Sequence, residues 1–451
     1  MSGSSLDQLY AAHLDVLMRR TDRSLEASGF EALVIHAGRA PIQFLDDQDY
    51  PFKVNPQFKA WVPITDNPRC ILVYSPGNRP TVLFHQPNDF WHKPATLPTA
   101  AWTAQVNLVA MDDECKAAAH WAKLGRVAFI SPQSLVPDAD PKCINPQGLM
   151  ALLDYDRAVK TPYELECLRE ASELGARGHA AALAAFNRGG SEYDAHMSYL
   201  QACEQREEEL PYNNIVAYNE NAAVLHYQHL DRAAPVLLRS FLIDAGAQYR
   251  GYASDITRTY ARGGGRFADL VQAMDGAQQT LCSAIIAGRD FRDVHLSAHR
   301  ILGDVMQQIG LTKLPGQAAL ECGVTSTFFP HGIGHLLGLQ VHDVGGVMAD
   351  SQGALRERPK GHPFLRLTRM LEPGVVVTVE PGIYLIESLL AVAHADERRS
   401  HIDWAVAEEL KPFGGVRIED NVATTPDRPE NMTRDAFARV AMPKPPRQPL
   451  S

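Results

Sequence analysis

The stretch SFLIDAGAQYRGYASDITRTY sets the tightest condition on how this chain folds. Asp244 ends an apolar strand, and Asp255 follows in the next strand, across a turn that carries Gly246 and Gly251. Aspartate is depleted in strands. A hairpin here brings two carboxylates together, and buried carboxylates repel unless a cation lies between them. A turn aspartate plus a solvent-facing one also satisfies this pattern. The oddity recurs twice, however. VVVTVEPGIYLI puts Glu380 after five β-branched residues and just before Pro381-Gly382, and GGVRIEDNVA puts Glu419 in a short strand between Ile418 and Asp420. Either could be an exposed strand end.

The same half of the chain contains FFPHGIGHLLGLQVHDVGG, with His331, His335 and His342. The spacing of His331 and His335 mimics HExxH. The glutamate of that motif is absent, and Gly332 and Gly334 each cost a helix about 1 kcal/mol. A loop with close backbone approach fits better, and spacing alone does not choose a ligand among the three. Four carboxylates and one imidazole together suit a pair of hard-to-borderline divalent cations rather than a thiolate-loving metal. Two such ions about 3.5–4 Å apart acidify a shared water enough to give a hydroxide nucleophile near neutral pH.

With 451 residues, two to four domains are expected. A boundary near residue 160 is marked by KTPYELECLREASELGARGHAAALAAF. Thr161 reads as an N-cap, Pro162 as the first helical residue and Glu164 as the partner of a capping box. Before it, 6–28 reads as helix and 30–38, 70–77, 80–87 and 126–132 as strands, an α/β domain with a mixed sheet. After it, helices at 192–208, 266–288 and 293–309 flank strands at 213–218, 222–227, 239–244, 254–261, 375–386 and 415–420, an α+β arrangement. The expected domains are 1–158 and 159–442, with a Pro-rich tail at 443–451.

Other function classes recede. Net charge is −10 and no lysine- or arginine-rich run appears, which argues against a nucleic-acid surface. The N-terminus lacks a signal-peptide pattern, and no apolar run is long enough to span a membrane. The seven cysteines are scattered without a CxxC pair, as expected of free thiols in the cytoplasm.

Taken together, these motifs resemble those of bacterial prolidases (Xaa-Pro dipeptidases) of the pita-bread metallopeptidase family, close to organophosphorus acid anhydrolases. FLDDQDYPFKVNPQFKAWVP and FWHKP resemble the N-terminal domain; YNNIVAYNENAAVLHY, IDAGAQYRGYASDITRTY, FFPHGIGHLLGLQVHDVGG, TVEPGIY and GVRIEDN resemble the catalytic domain. The resemblance implies a creatinase/aminopeptidase-like pita-bread domain behind the α/β one. It implies two divalent ions per subunit, Mn²⁺ first and Co²⁺ or Zn²⁺ as alternatives, held by Asp244, Asp255, His335, Glu380 and Glu419. Glu380 then also shuttles a proton, His342 stabilises the tetrahedral intermediate, and His331 and His226 line the pocket. Arg366 and Arg417 read the proline carboxylate, although Arg417 equally suits orienting Glu419 from the same strand face. Arg366 also fits a plain basic surface loop. Asp47, with Tyr212 in the same small pocket, reads the free amine, and its place in the first domain implies a homodimer. His229 is expected to face solvent, and His362 is given no role. The activity implied is hydrolysis of the X–Pro bond of dipeptides, with organophosphate triester hydrolysis as a side activity. The rivals are aminopeptidase P, an organophosphorus acid anhydrolase, and a non-catalytic pita-bread binding protein, the last disfavoured by the intact ligand set.

Overall fold

The first sheet is built from the apolar runs of the N-terminal half. In this computed structural model, which describes residues 6–132, 135–136 and 138–443, these runs form β1 (Ala32–His36), β2 (Ile71–Tyr74), β3 (Thr81–His85), β4 (Asn107–Met111) and β5 (Val127–Ile130). Their order is β4-β3-β2-β1-β5. β1–β2 and β2–β3 pair antiparallel, whereas β1–β5 and β3–β4 pair parallel, so the sheet is mixed as expected. β1, β2 and β5 are buried along their whole length, which is why they read as continuous apolar runs rather than alternating ones. β4 was not foreseen: only Met111 of its five residues is buried, so it carries little apolar signal. The helix Leu6–Ser28 covers the expected range and buries Tyr10, Leu14 and Leu25.

The chain divides into two compact units, one running to Cys167 with Arg250–Tyr252 and Met348–Leu355 added, the other comprising the remainder. The division falls inside the helix Pro162–Asn187. Its capping box forms: Thr161 N donates to Glu164 Oε2 at 2.8 Å, and Glu164 N donates to Thr161 Oγ1 at 3.4 Å. The tail expected at 443–451 lies outside the described residues except for Pro443.

In the second unit β6 (Ile215–Tyr218) and β7 (Ser240–Asp244) pair antiparallel. After the two-residue strands β8 (Gln248–Tyr249) and β9 (Tyr252–Ala253), β10 (Thr257–Ala261) pairs with the other edge of β7, opposing Thr257 to Asp244. β11 (Val376–Val379), β14 (Asp420–Ala423) and β15 (Glu430–Asn431) form a second sheet, and β12 (Gly382–Tyr384) pairs with β13 (Gly415–Arg417). Helices Glu192–Cys203, Arg266–Ser283 and Phe291–Gln308 flank them.

Three local expectations are corrected. Asp255 is not in a strand; it lies in the extended segment between β9 and β10, which starts only at Thr257. Glu419 sits between β13 and β14 and touches the ladder through a single bridge to Thr257. No strand forms at 222–227. Asn219 adopts φ 54°, and its side chain accepts from Arg239 N at 2.7 Å, which turns the chain away from the β6 line. That turn puts Leu225 and His226 in a loop.

Candidate metal centre and substrate cavity

The acids meet because the strands end together. Asp244 closes β7, and its register partner Thr257 opens β10. Thr257 Oγ1 donates to Glu419 Oε2 at 2.7 Å, and Glu419 N donates back to Thr257 O at 3.0 Å. Gly246 is required in the turn between the two aspartates, since a Cβ there would fall 2.0 Å from Ser254 O. Asp255 and Glu419 are buried. Adjacent acids are sorted by the pleat: Asp420 is committed to Arg258 at 2.7 Å and Arg434 at 2.8 Å, whereas Glu419 faces the cavity.

The histidine segment enters as the close-packed loop expected of it. Leu337 N donates to Val376 O, Thr378 N to His335 O and Glu380 N to Ile333 O, which lays residues 333–337 along β11 and past its end. Gly334 permits this approach, because a Cβ there would lie 2.0 Å from Thr378 O. His335 thereby comes beside Glu380. Its Nδ1 donates to Leu336 O at 3.0 Å, which leaves Nε2 facing Asp255 Oδ2 at 3.4 Å and Glu380 Oε1 at 3.6 Å.

Electrostatics mark this as a place for cations. Burial pushes the Glu380 carboxyl up to about 7, with Asp255 and Asp244 adding repulsion against the attraction of His335 and Arg417. Burial and three neighbouring carboxylates raise Glu419 well above its ordinary value. Burial also raises Asp244, against Arg417. Burial, the largest single influence, would raise Asp255 too, but the hydrogen bonds from His335 and Tyr212 and the charges of His335 and His342 together outweigh it and hold that carboxyl low. Burial would lower His335, yet Asp255 and Glu380 keep its proton on and raise it. A ring nitrogen aimed at two carboxylate oxygens needs a positive charge between them, whether a proton or a metal ion. Ligand atoms of Asp255, His335 and Glu419 lie within 4.8 Å of one another, a spacing a divalent ion can close. The donor set fits the metal pair anticipated from the sequence.

Ten of the twelve expected site residues line one cavity of about 470 Å³: His226, Asp244, Asp255, His331, His335, His342, Arg366, Glu380, Arg417 and Glu419. That is an ordinary size for a small-molecule site. Tyr212 joins through its hydroxyl, which donates to Asp244 Oδ1 at 2.7 Å. Asp47 belongs to the other unit, where it is exposed. Arg417 is buried; its Nη2 donates to Asp244 Oδ2 at 2.7 Å, Nη1 to Tyr384 OH at 3.0 Å and Nε to Thr257 Oγ1 at 3.1 Å. Both ring nitrogens of His331 are also engaged: Nδ1 with Gly332 O and Nε2 with Tyr384 OH, each at 2.8 Å. Burial lowers His331 to about 3, so the ring is neutral, Nδ1 donates and Nε2 accepts. His342 packs edge-on to His335 with centroids 4.4 Å apart, and burial lowers it to about 4. His229 is exposed.

Sequence reasoning missed Tyr384, Thr257 and Thr378, which hold the named residues in place, and Leu225, Arg358 and Phe364, which line the cavity. Tyr384 and Thr257 sat inside the quoted motifs without a titratable signal. Arg358 and Phe364 belong to RERPKGHPFLRLTR, which resembles any basic surface loop.

Comparison with known proteins places this geometry. Residues 8–155 match the Xaa-Pro dipeptidase N-terminal domain family, and residues 166–426 match metallopeptidase family M24. The Xaa-Pro dipeptidase of Xanthomonas campestris pv. campestris (strain B100) is 48% identical over 442 residues, covering 97% of this chain and 100% of that protein. That of Stenotrophomonas maltophilia (strain K279a) is 49% identical over 434 residues, covering 95% and 97%. Among solved structures, Zn-substituted E. coli aminopeptidase P in complex with product superposes with a TM-score of 0.69 at 23% identity, covering 93% of this chain and 95% of that one. Proline aminopeptidase P II from Yersinia pestis gives 0.69 at 23%, covering 96% and 98%. At that identity the structures establish the shared fold, and the sequence relatives establish the branch. The chain belongs to metallopeptidase family M24, among the bacterial Xaa-Pro dipeptidases.

Proposed function

We propose that this protein is a metal-dependent Xaa-Pro dipeptidase that hydrolyses the X–Pro bond of dipeptides with C-terminal proline. The observation that carries this reading is the convergence of Asp244, Asp255, His335, Glu380 and Glu419 on one cavity, in a chain whose near full-length relatives are Xaa-Pro dipeptidases. These five residues would hold two divalent ions, Mn²⁺ first among them. Bound there, such ions supply Lewis-acid polarisation of the scissile carbonyl and acidify water.

The chain's own groups do the rest. The X–Pro nitrogen carries no hydrogen, so it must gain a proton to leave. Glu380 lines the cavity beside the other acids and is placed to take a proton from the attacking water and deliver it to that nitrogen. His342 is neutral at working pH and its ring can donate to the developing oxyanion. His226 and His331 wall the pocket. Arg366 is exposed on the cavity wall and suits the proline carboxylate as a fork of donors. Arg417 spends its guanidinium on Asp244, Tyr384 and Thr257, which supports the reading that it positions a metal ligand.

The amine of the first residue needs an anion, and Asp47 is our assignment, acting in a homodimer. What supports this is that Phe44 and Leu45, just before Asp47 in the chain, are 88% and 90% exposed, and that Phe90 and Trp91 of the same unit are 85% and 77% exposed, apolar side chains that a second copy would cover. A cytoplasmic location agrees with seven free cysteines and with the absence, among the described residues, of any helix long and apolar enough to cross a membrane.

The test is turnover of X-Pro dipeptides, X-Pro-Y tripeptides and an organophosphate triester by chelated and Mn²⁺-restored protein. Dipeptides are expected to be cleaved fastest, with weak triester turnover in the same pocket. Faster tripeptide cleavage would move the assignment to aminopeptidase P, and activity that survives complete metal removal would overturn it.

A further inference from the structure

A second histidine cluster lies outside the cavity. His295 and His299 stand one turn apart on the helix Phe291–Gln308, and His362 comes from the loop after Arg358. Ligand atoms of all three lie within 4.8 Å of one another. The ring centroids are 4.7, 4.6 and 4.6 Å apart.

The hydrogen-bond inventory leaves this cluster unsatisfied. His295 and His299 are each only 1% exposed, yet His295 Nδ1 and His299 Nε2 have no partner among the described residues. His299 Nδ1 faces Thr325 Oγ1 at 2.8 Å, which turns Nε2 free. His295 Nε2 and His362 Nδ1 face each other at 2.9 Å, where they can share only one proton. Buried polar atoms seldom stay unpaired. Burial holds His295 near 2 and His299 near 3, with neighbouring histidines adding to it, so both rings are neutral and offer lone pairs.

We propose that His295, His299 and His362 form a tri-histidine site for a zinc-class divalent cation that clasps the 356–366 segment to the helix Phe291–Gln308. Two histidines at i and i+4 on one helix face are a chelating pair. Three imidazoles without a carboxylate favour Zn²⁺, Co²⁺, Ni²⁺ or Cu²⁺ over Mn²⁺. Zinc-nitrogen bonds of about 2.0–2.1 Å set tetrahedral ligand nitrogens about 3.3 Å apart, so the 2.9 Å approach of His295 Nε2 to His362 Nδ1 must widen by a few tenths of an ångström, and the His299 nitrogen, within 4.8 Å of theirs, must draw in. His362 is partly exposed and gives entry, and a water completes a tetrahedron. The segment is already tied to the start of this helix by Arg356 Nη2 to Asp290 Oδ2 at 2.7 Å. It also carries Arg358, Pro363, Phe364 and Arg366 into the cavity wall. Phe329 separates the two centres, with its ring 5.0 Å from His299 and 4.7 Å from His331.

The experiment uses full-length protein saturated with Mn²⁺, then dialysed against micromolar Zn²⁺ in the presence of excess Mn²⁺, with bound metals counted by mass spectrometry. Wild type is expected to hold one more zinc equivalent than His362→Ala and His299→Asn, whatever the catalytic centre holds. Zinc should slow proteolysis within 356–366 in wild type and not in His362→Ala. Zinc-edge anomalous diffraction from wild-type crystals locates the ion without any variant. Equal zinc in wild type and a folded His362→Ala, or no anomalous peak among the three rings, would overturn the proposal.

Discussion

Arg417 Nη2 donates to Asp244 Oδ2 at 2.7 Å, and Tyr212 OH donates to the other carboxylate oxygen at 2.7 Å. The first acid of the site is therefore aimed by two donors before any ion arrives. Groups that orient a ligand commonly matter about 10–100-fold in metal affinity. Arg417→Lys keeps the charge and loses the planar fork, so we expect Mn²⁺ affinity to fall by about that factor, read by calorimetry on metal-free protein. An unchanged affinity with a raised KM alone would instead make Arg417 a reader of the substrate carboxylate.

The three histidines of the loop should separate by assay. His335→Ala removes the imidazole whose Nε2 faces two carboxylates at 3.4 and 3.6 Å. It should lose at least one metal equivalent and essentially all activity together. His342→Ala should retain both ions and lose about 10²–10³ in kcat, the scale of one missing oxyanion donor. Loss of metal from His342→Ala, measured by mass spectrometry, would contradict this division.

Metal uptake should be pH-dependent through Glu380. Its carboxyl is raised to about 7 by burial first and by Asp255 and Asp244 next, against His335 and Arg417. Below that value the group carries a proton that a cation must displace; above it the ligand form is already present. Affinity for Mn²⁺ therefore rises with pH up to about 7, by roughly tenfold per unit for each proton released, and this contribution then levels off. Calorimetry in buffers of different ionisation enthalpy should find more protons released at pH 6 than at pH 8. The same number at both would show that Glu380 is ionised throughout.

Gly334 offers a structural control. A Cβ would sit 2.0 Å from the Thr378 carbonyl oxygen, so Gly334→Ala must push the histidine segment off β11. We expect a loss of about 1–3 kcal/mol in unfolding free energy, the usual scale of overpacking, and a larger fractional loss of metal affinity than of stability. Denaturant unfolding and calorimetry read the two separately. An undisturbed metal affinity would mean that the pairing with β11 does not set His335.

Much of this was legible because it is local. The capping box at Thr161 and Glu164, the apolar runs of β1, β2 and β5, and the run of β-branched residues before Glu380 each carry their signal within a few positions. What failed also has local causes. β4 is mostly exposed and lacks the signature, and Asn219 turns the chain through a left-handed residue where VLHY read as a strand. The carboxylates looked misplaced on a strand assignment that was itself wrong for Asp255, yet Asp255 and Glu419 are buried and Asp244 and Glu380 largely so.

The sequence by itself determined the family, the two kinds of sheet and the residue types that gather at the cavity, since all of these follow from motif order and short-range pattern. Only the tertiary structure decided which groups face one another. Alternation turns Glu419 inward and leaves Asp420 to two arginines. Pairing beyond the end of β11 brings His335 to Glu380. The fork of Arg417 reaches Asp244, 173 positions away in sequence. Such long-range encounters depend on strand register and on which glycines let backbones touch, and neither is written in the spacing of the residues that meet.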